Sequence, residues 1–139
     1  MFTYNYPRPA VTTDAILVSP LKKVLLIERG REPFKGTWAL PGGFVDMDES
    51  LETACKRELE EETGIQIQEL KQFKAYGDVN RDPRHRTISV VFYALADTEI
   101  EPKAGDDAVN ARWFALTDLP ELAFDHGKIL EEFMLEVLK

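Results

Sequence analysis

The sequence predicts an α/β fold, in which a mixed β-sheet carries helices packed on its faces, and three observations support it. Short β-branched and apolar runs of strand length outnumber the helical patterns. The two longest helical patterns are separated by several strands, which argues against regular βαβ winding. The 139 residues, 44% of them apolar, suit one core. No Ser/Gly-rich linker, internal repeat, low-complexity tract or heptad run divides the chain, so one domain over 1–139 is expected.

The elements follow in order. Residues 11–18 mix Val, Thr, Ile and Leu and read as a strand. A turn at 20–23 leads to a second strand at 24–27, so the two form a hairpin. A charged loop covers 30–36, and a short strand at 37–40 is stopped by Pro41-Gly42-Gly43. Residues 50–63 are helical, with Asp48 or Ser50 as N-cap and Gly64 as C-cap. A strand falls within 65–76, a polar loop around Pro83 covers 78–85, and 86–96 is the clearest strand, with Ile88, Val90, Val91, Phe92 and Tyr93. An acidic loop at 97–110 precedes a short strand at 111–114. Asp125 caps a last helix whose Ile129, Leu130, Phe133, Met134, Val137 and Leu138 form one apolar stripe.

A formal net charge of −8 argues against broad electrostatic binding to nucleic acid or an anionic membrane. A phosphate-bearing small molecule remains compatible where metal ions or local arginines offset the charge. Met1-Phe2-Thr3-Tyr4 shows no basic segment followed by an apolar run, so no secretory signal is expected. No apolar stretch approaches the ~20 residues of a spanning helix. Cys55 is the only cysteine, so there is no internal disulfide. A cytoplasmic protein is the expectation.

The 50–63 helix carries the chemistry. At 100° per residue, Leu51, Ala54, Cys55 and Leu59 form a core-facing stripe, and Glu58 and Glu62 continue it toward the C-terminal end with Glu61 beside them. Two carboxylates ~6 Å apart repel by about 3 kcal/mol at an effective dielectric of ~20. Each also opposes the helix dipole by roughly 0.3–1 kcal/mol. Glu60 adds a further charge. Lys56 and Arg57 offset this only by a few tenths of a kcal/mol per i,i+4 pair. A bound divalent cation offsets far more, and oxygen-only ligands favour Mg²⁺, Mn²⁺ or Ca²⁺ over zinc. On the helix alone, a solvated acidic face and a metal site compete on even terms.

The flanks change that balance. Five residues separate Gly43 from Glu49, and seven more precede Arg57-Glu58-Leu59-Glu60-Glu61-Glu62-Thr63-Gly64-Ile65. This is a full match to G-x5-E-x7-R-E-U-x-E-E-x-G-U, with U a bulky aliphatic residue. At background frequencies of about 5–7% per specified residue, a chance match is on the order of one in tens of millions. The chain resembles the Nudix hydrolase family, and the resemblance spans most of it. It implies the Nudix fold, a mixed-sheet α/β/α sandwich, and Mg²⁺-dependent pyrophosphohydrolysis with Mn²⁺ as a substitute. By resemblance Glu58, Glu61 and Glu62 bind metal, the Gly42 carbonyl is a further ligand, and Arg57 orients the glutamates with Glu49 as its partner. Surface pairing is the alternative for Arg57. Gly43 and Gly64 are shape residues, and Cys55 is a small buried apolar residue. In this family the general base often comes from a second acidic loop. Asp106 and Asp107 are favoured over Glu99 and Glu101, with a solvated loop as the alternative.

The segment Gly77-Asp78-Val79-Asn80-Arg81-Asp82-Pro83-Arg84 resembles the corresponding loop of ADP-ribose pyrophosphatases, with Pro83 eighteen positions past Ile65. Arg81 and Arg84 then grip a ribose or phosphate, or else pair with Asp78 and Asp82. Phe2, Tyr4, Tyr6 and Arg8 stack on adenine, across a homodimer, or simply pack. His126, in Asp125-His126-Gly127, reads as a helix-start residue rather than a catalyst. The leading expectation is hydrolysis of ADP-ribose to AMP and ribose 5-phosphate, with a nucleotide as the small-molecule partner and neither nucleic acid nor membrane. The alternatives are pyrophosphate removal from damaged nucleoside triphosphates and a non-catalytic ADP-ribose sensor. Sensors of that kind usually carry a degraded box and a DNA-binding domain, so the intact box disfavours this reading.

Overall fold

The computed structural model describes residues 3–105 and 108–138. Nine elements follow one another: β1 (Ala10–Val18), β2 (Lys23–Arg29), β3 (Trp38–Ala39), β4 (Gly42–Phe44), α1 (Leu51–Thr63), β5 (Lys71–Tyr76), β6 (Thr87–Leu95), β7 (Ala108–Ala115) and α2 (His126–Glu136). Among the described residues the strands form one seven-stranded sheet with the path β3-β2-β1-β6-β5, while β4 joins β1 and β7 joins β2. β1 and β6 run parallel from Ala10 opposite Thr87 to Val18 opposite Leu95, and the remaining pairings are antiparallel. The sheet is therefore mixed.

β1 is the axis of the molecule. Its alternate residues face opposite layers, as a period of two requires. Ile16 and Val18 pack with Val91 and with Ile129, Leu130 and Phe133 of α2. Ala15 and Leu17 pack with Val90, Phe92 and with Cys55 and Leu59 of α1. Both faces are covered, which is why 12–18 is buried without a break. The result is an α/β/α sandwich.

Local signals explain most boundaries. Ser50 accepts a hydrogen bond from the Thr53 amide and caps α1, and Gly64 ends it at φ 74°. Asp125 occupies the cap position of α2 but makes no side-chain cap hydrogen bond, because Arg81 holds its carboxylate. The expected stop at Pro41-Gly42-Gly43 is partly a strand: Gly42, Gly43 and Phe44 pair with Asp14, Thr13 and Thr12. Three residues flanked by turn-forming ones carry no periodic signal, so only the partner strand reveals them. The 65–76 strand begins at Lys71, and the 111–114 strand extends over Ala108–Ala115 along β2. Among the described residues no helix is long and apolar enough to cross a membrane.

A Cβ at Gly64 would meet nothing closer than 3.7 Å, so the left-handed backbone is the sole obstacle to a side chain there. Gly64→Ala should destabilise the fold by about 1 kcal/mol, read as a lower urea midpoint at unchanged slope. An unaltered midpoint would show that this cap is not under strain.

Candidate active site

The acidic half of α1 is organised by one guanidinium. Arg57 donates from Nε and Nη2 to the two oxygens of Glu49 at 2.9 and 2.6 Å, a bidentate pair. Its Nη1 donates to Glu58 at 2.9 Å and to Glu61 at 3.2 Å, and Nη2 also reaches the Phe44 carbonyl at 3.2 Å. The hydrogen bonds from Arg57, aided by the Asp46 amide, pull the Glu49 carboxyl down to about 2. Those same bonds, Glu49 first, raise the Arg57 pKa. Burial pushes Glu58 above the usual carboxylate range, against the opposing pull of Arg57.

Glu58 and Glu62 face β4. Glu62 accepts the Gly42 amide at 2.8 Å. A Cβ at Gly43 would lie 2.5 Å from the Glu58 carboxyl carbon, so the absence of a side chain lets this carboxylate approach the strand. Gly42 has no room either, since a Cβ there would meet the Thr13 carbonyl oxygen at 2.1 Å and Asp14 Oδ1 at 2.4 Å. Glu61 lies on the exposed rim, 42% accessible.

Glu58 and Glu62 line a cleft of about 480 Å³ together with Arg81, Arg84, Phe124, Asp14 and His126. The Arg81 side chain is only 5% exposed and is bound bidentately by Asp125, at 2.9 and 2.6 Å. Burial works against its charge, and these bonds outweigh it, leaving its pKa raised. Arg84 pairs with Asp82 through two contacts of 3.1 and 2.7 Å. Its guanidinium lies 5.5 Å from the Phe44 ring centroid and 5.6 Å from that of Phe124. Arg29 covers Phe124 at 4.9 Å, and Phe34 meets it edge-on at 4.9 Å. Phe34 and Phe124 both have positive φ, 64° and 52°, uncommon for bulky residues and a mark of functional sites.

Tyr4, Tyr6 and Arg8 are not in this cleft. They line a second hollow, which shares only Phe44 and Asp46 with the first, and Arg8 sits 3.9 Å over the Tyr4 ring. Asp106 and Asp107 lie outside the described residues. Gly105, just before them, donates to the Glu62 carbonyl at 3.3 Å, and Lys103 donates to the Thr63 carbonyl at 2.8 Å, which ties the acidic loop to the end of α1. Glu99 instead accepts from the Ser19 hydroxyl.

Asp14, Phe124 and Arg29 were not singled out in the sequence, and His126 was read as a helix-start residue. Asp14 left a signal of its own: it is the one charge in an apolar strand, and a buried carboxylate needs a reason.

The carboxylate oxygens of Glu58 and Glu62 suit a hard divalent cation, and the space at Gly43 holds the Glu58 carboxylate against the backbone. Among the described residues no three such side chains converge as a finished cage; Glu61 is held by Arg57, and Glu62 by the Gly42 amide.

A mixed sheet between two helices, with a glutamate-bearing helix set against a glycine strand, defines a class, and the sequence profile of the NUDIX domain matches residues 8–133. The chain belongs to the Nudix family, whose hydrolases generally depend on a divalent metal ion. It is 47% identical over 129 residues to the ADP-ribose pyrophosphatase of Methanocaldococcus jannaschii, covering 93% of this chain and 75% of that one. The NUDIX domain of Shewanella oneidensis NrtR, solved with ADP ribose, superposes with a TM-score of 0.89 at 33% identity, over 96% of this chain and 91% of that one. A Francisella tularensis bifunctional NMN adenylyltransferase/ADP ribose pyrophosphatase, solved with AMP and a manganese ion, gives 0.85 at 30% identity, over 96% of this chain and 43% of that one.

Gly43→Ala should push the Glu58 carboxylate aside and weaken Mn²⁺ binding by about 10–100-fold, measured by electron paramagnetic resonance titration. Because the displaced atoms end a flexible side chain, the unfolding midpoint should move little. Full Mn²⁺ affinity in this variant would remove Glu58 from the site.

Proposed function

We propose that this Nudix domain, spanning 1–139, is a Mg²⁺-dependent pyrophosphohydrolase that cleaves ADP-ribose to AMP and ribose 5-phosphate. The observation that carries the reading is one cleft lined by Glu58 and Glu62 together with Arg81 and Arg84. Such a cleft can hold a diphosphate between cations and guanidinium groups, and the 47% relative is named for this substrate. When bound, Mg²⁺ screens the diphosphate charge and acidifies the attacking water.

The chain's own residues do the positioning. Glu58, Glu61, Glu62 and the Gly42 carbonyl hold the cation, with Mn²⁺ as a substitute. Arg57, locked on Glu49, sets the orientation of Glu58 and Glu61. Asp106 or Asp107 serves as the general base; Gly105, which precedes them in the sequence, donates to the Glu62 carbonyl. Arg81 and Arg84 bind the phosphate and ribose portion. Tyr4, Tyr6 and Arg8 stack on the base across the Phe44 rim, in a homodimer. The setting is cytoplasmic, with neither nucleic acid nor membrane as a partner. A pure sensor is disfavoured because all three box glutamates and Arg57 are present.

Glu62→Gln keeps an acceptor for the Gly42 amide but loses the charge. It should lower kcat at least about 100-fold at saturating Mg²⁺ while the circular dichroism spectrum stays native; near-normal turnover would take Glu62 out of the metal site. A panel of nucleotides ranked by kcat/KM should place ADP-ribose first, with EDTA abolishing turnover and Mg²⁺ restoring it. If an oxidised triphosphate or a nucleotide sugar ranks far above it, the substrate is wrong and the reaction class stands. No turnover of any nucleotide would favour the sensor.

A further inference from the structure

The floor of the cleft contains a donor and an acceptor that no part of the phosphate chemistry uses. His126 is 4% exposed and opens α2. Its Nδ1 accepts the Leu40 amide at 3.0 Å. Nδ1 therefore carries no proton, and the neutral ring carries its hydrogen on Nε2. Burial lowers the His126 pKa and keeps the ring neutral. Nε2 makes no hydrogen bond among the described residues; it stands 3.9 Å from Asp14 Oδ2, beyond hydrogen-bond reach. Asp14 is 7% exposed, and the Ser89 hydroxyl gives the one hydrogen bond its carboxylate receives among the described residues. Both side chains line the cleft.

An N–H and a carboxylate oxygen of two buried residues, both lining the cleft and held just too far apart to bond each other, form a seat for a group that both donates and accepts. An oxygen roughly 2.8 Å from each atom spans the 3.9 Å gap. A hydroxyl fits: it donates to Asp14 Oδ2 and accepts from His126 Nε2–H. A phosphate oxygen does not, because it has no proton to give Asp14 and its charge is repelled.

We propose that Asp14 and His126 form a hydroxyl-binding pair on the cleft floor, which takes one ribose hydroxyl of the nucleotide and makes the enzyme select ribosides over deoxyribosides. This rests on the hydrolase reading above and adds the sugar to it. Ser89 fixes the carboxylate rotamer from β6, and the Leu40 amide fixes the tautomer, so the seat is pre-organised from both sides. Arg81, whose guanidinium Asp125 holds in place, lines the same cleft as the pair, so sugar and phosphate contacts share it.

The test compares substrates that differ by one hydroxyl: the nucleotide turned over fastest and its analogues lacking either the 2- or the 3-hydroxyl of each ribose. Wild type should lose roughly 100-fold in kcat/KM on one of these deletions, because the buried pair is then left without its partner. His126→Asn places an amide oxygen near the Nδ1 position, so the Leu40 amide keeps an acceptor while the Nε2 donor is gone. In this variant the ratio between the intact and deoxy substrates should collapse toward one. Asp14→Asn should reduce the same ratio, and His126→Gln, which restores an N–H near Nε2, should recover part of it. The proposal is overturned if wild type treats every deoxy analogue like its parent, or if His126→Asn slows all substrates equally, the mark of a structural role. Its failure is distinct from failure of the ADP-ribose assignment, since that is read from the substrate ranking and the hydroxyl test runs on whichever nucleotide ranks first.

Discussion

The acidic end of α1 exists as a folded feature because Arg57 holds it. Three carboxylates within one helical turn repel one another and oppose the helix dipole, and the last turn of α1 contains no basic residue. Arg57 takes two of them, Glu58 and Glu61, on one nitrogen and locks its other face on Glu49 from the preceding loop. The third, Glu62, is turned the other way onto the Gly42 amide. The charge is thus divided between a guanidinium and a backbone donor. This sets Glu58 and Glu62 beside the same glycine strand. An Arg suits this hub because a planar fork can serve several carboxylates at once, which a lysine ammonium does with less geometric control.

β1 then decides what faces that acidic end. It pairs with β6 along its whole length on one side, while the other side is shared, with β4 beside Thr12, Thr13 and Asp14 and β2 beside Val18. The fork brings the glycine strand next to Asp14. By the alternation of a strand, Asp14 falls on the same side as Ile16 and Val18, toward α2, while Ala15 and Leu17 turn to α1. The cleft is assembled where the two layers meet at this fork, so α1 supplies carboxylates and the start of α2 supplies the imidazole.

How far this was legible depends on the range of each interaction. The α1 stripe, its Ser50 and Gly64 caps and the glutamate spacing are local, and a sequence displays local order directly. The mixed sheet also followed, because strand runs and helical runs were distinct. β4 did not, since three residues acquire strand geometry only from their pairing with β1. Asp14 and Ser89 are 75 positions apart, His126 and Leu40 are 86 apart, and Arg81 and Asp125 are 44 apart. The partners are invisible locally: His126 looks like a helix-start residue and Asp125 like a cap, and the lone charge of Asp14 in its strand does not name Ser89. The terminal Tyr4, Tyr6 and Arg8 show the reverse, a suggestive local cluster that folding places in a separate hollow.

Asp125 shows how the two halves of the cleft are coupled. A cap carboxylate would normally accept the amides of its own helix, and at α2 it does not. It is given instead to Arg81, a cation that desolvation would otherwise penalise. The helix forgoes a cap hydrogen bond, of order 1 kcal/mol, and in return the loop carrying Arg81 is pinned to the first residues of α2, where His126 already holds the Leu40 amide two positions from Gly42. Arg81, His126 and the glycine strand are therefore fixed relative to one another through two hydrogen-bonded links. A chain with a net charge of −8 can meet a polyanionic ligand only where its cations are concentrated and held. Here Arg81 and Arg84, each held by a carboxylate, line the same cleft as the glutamates.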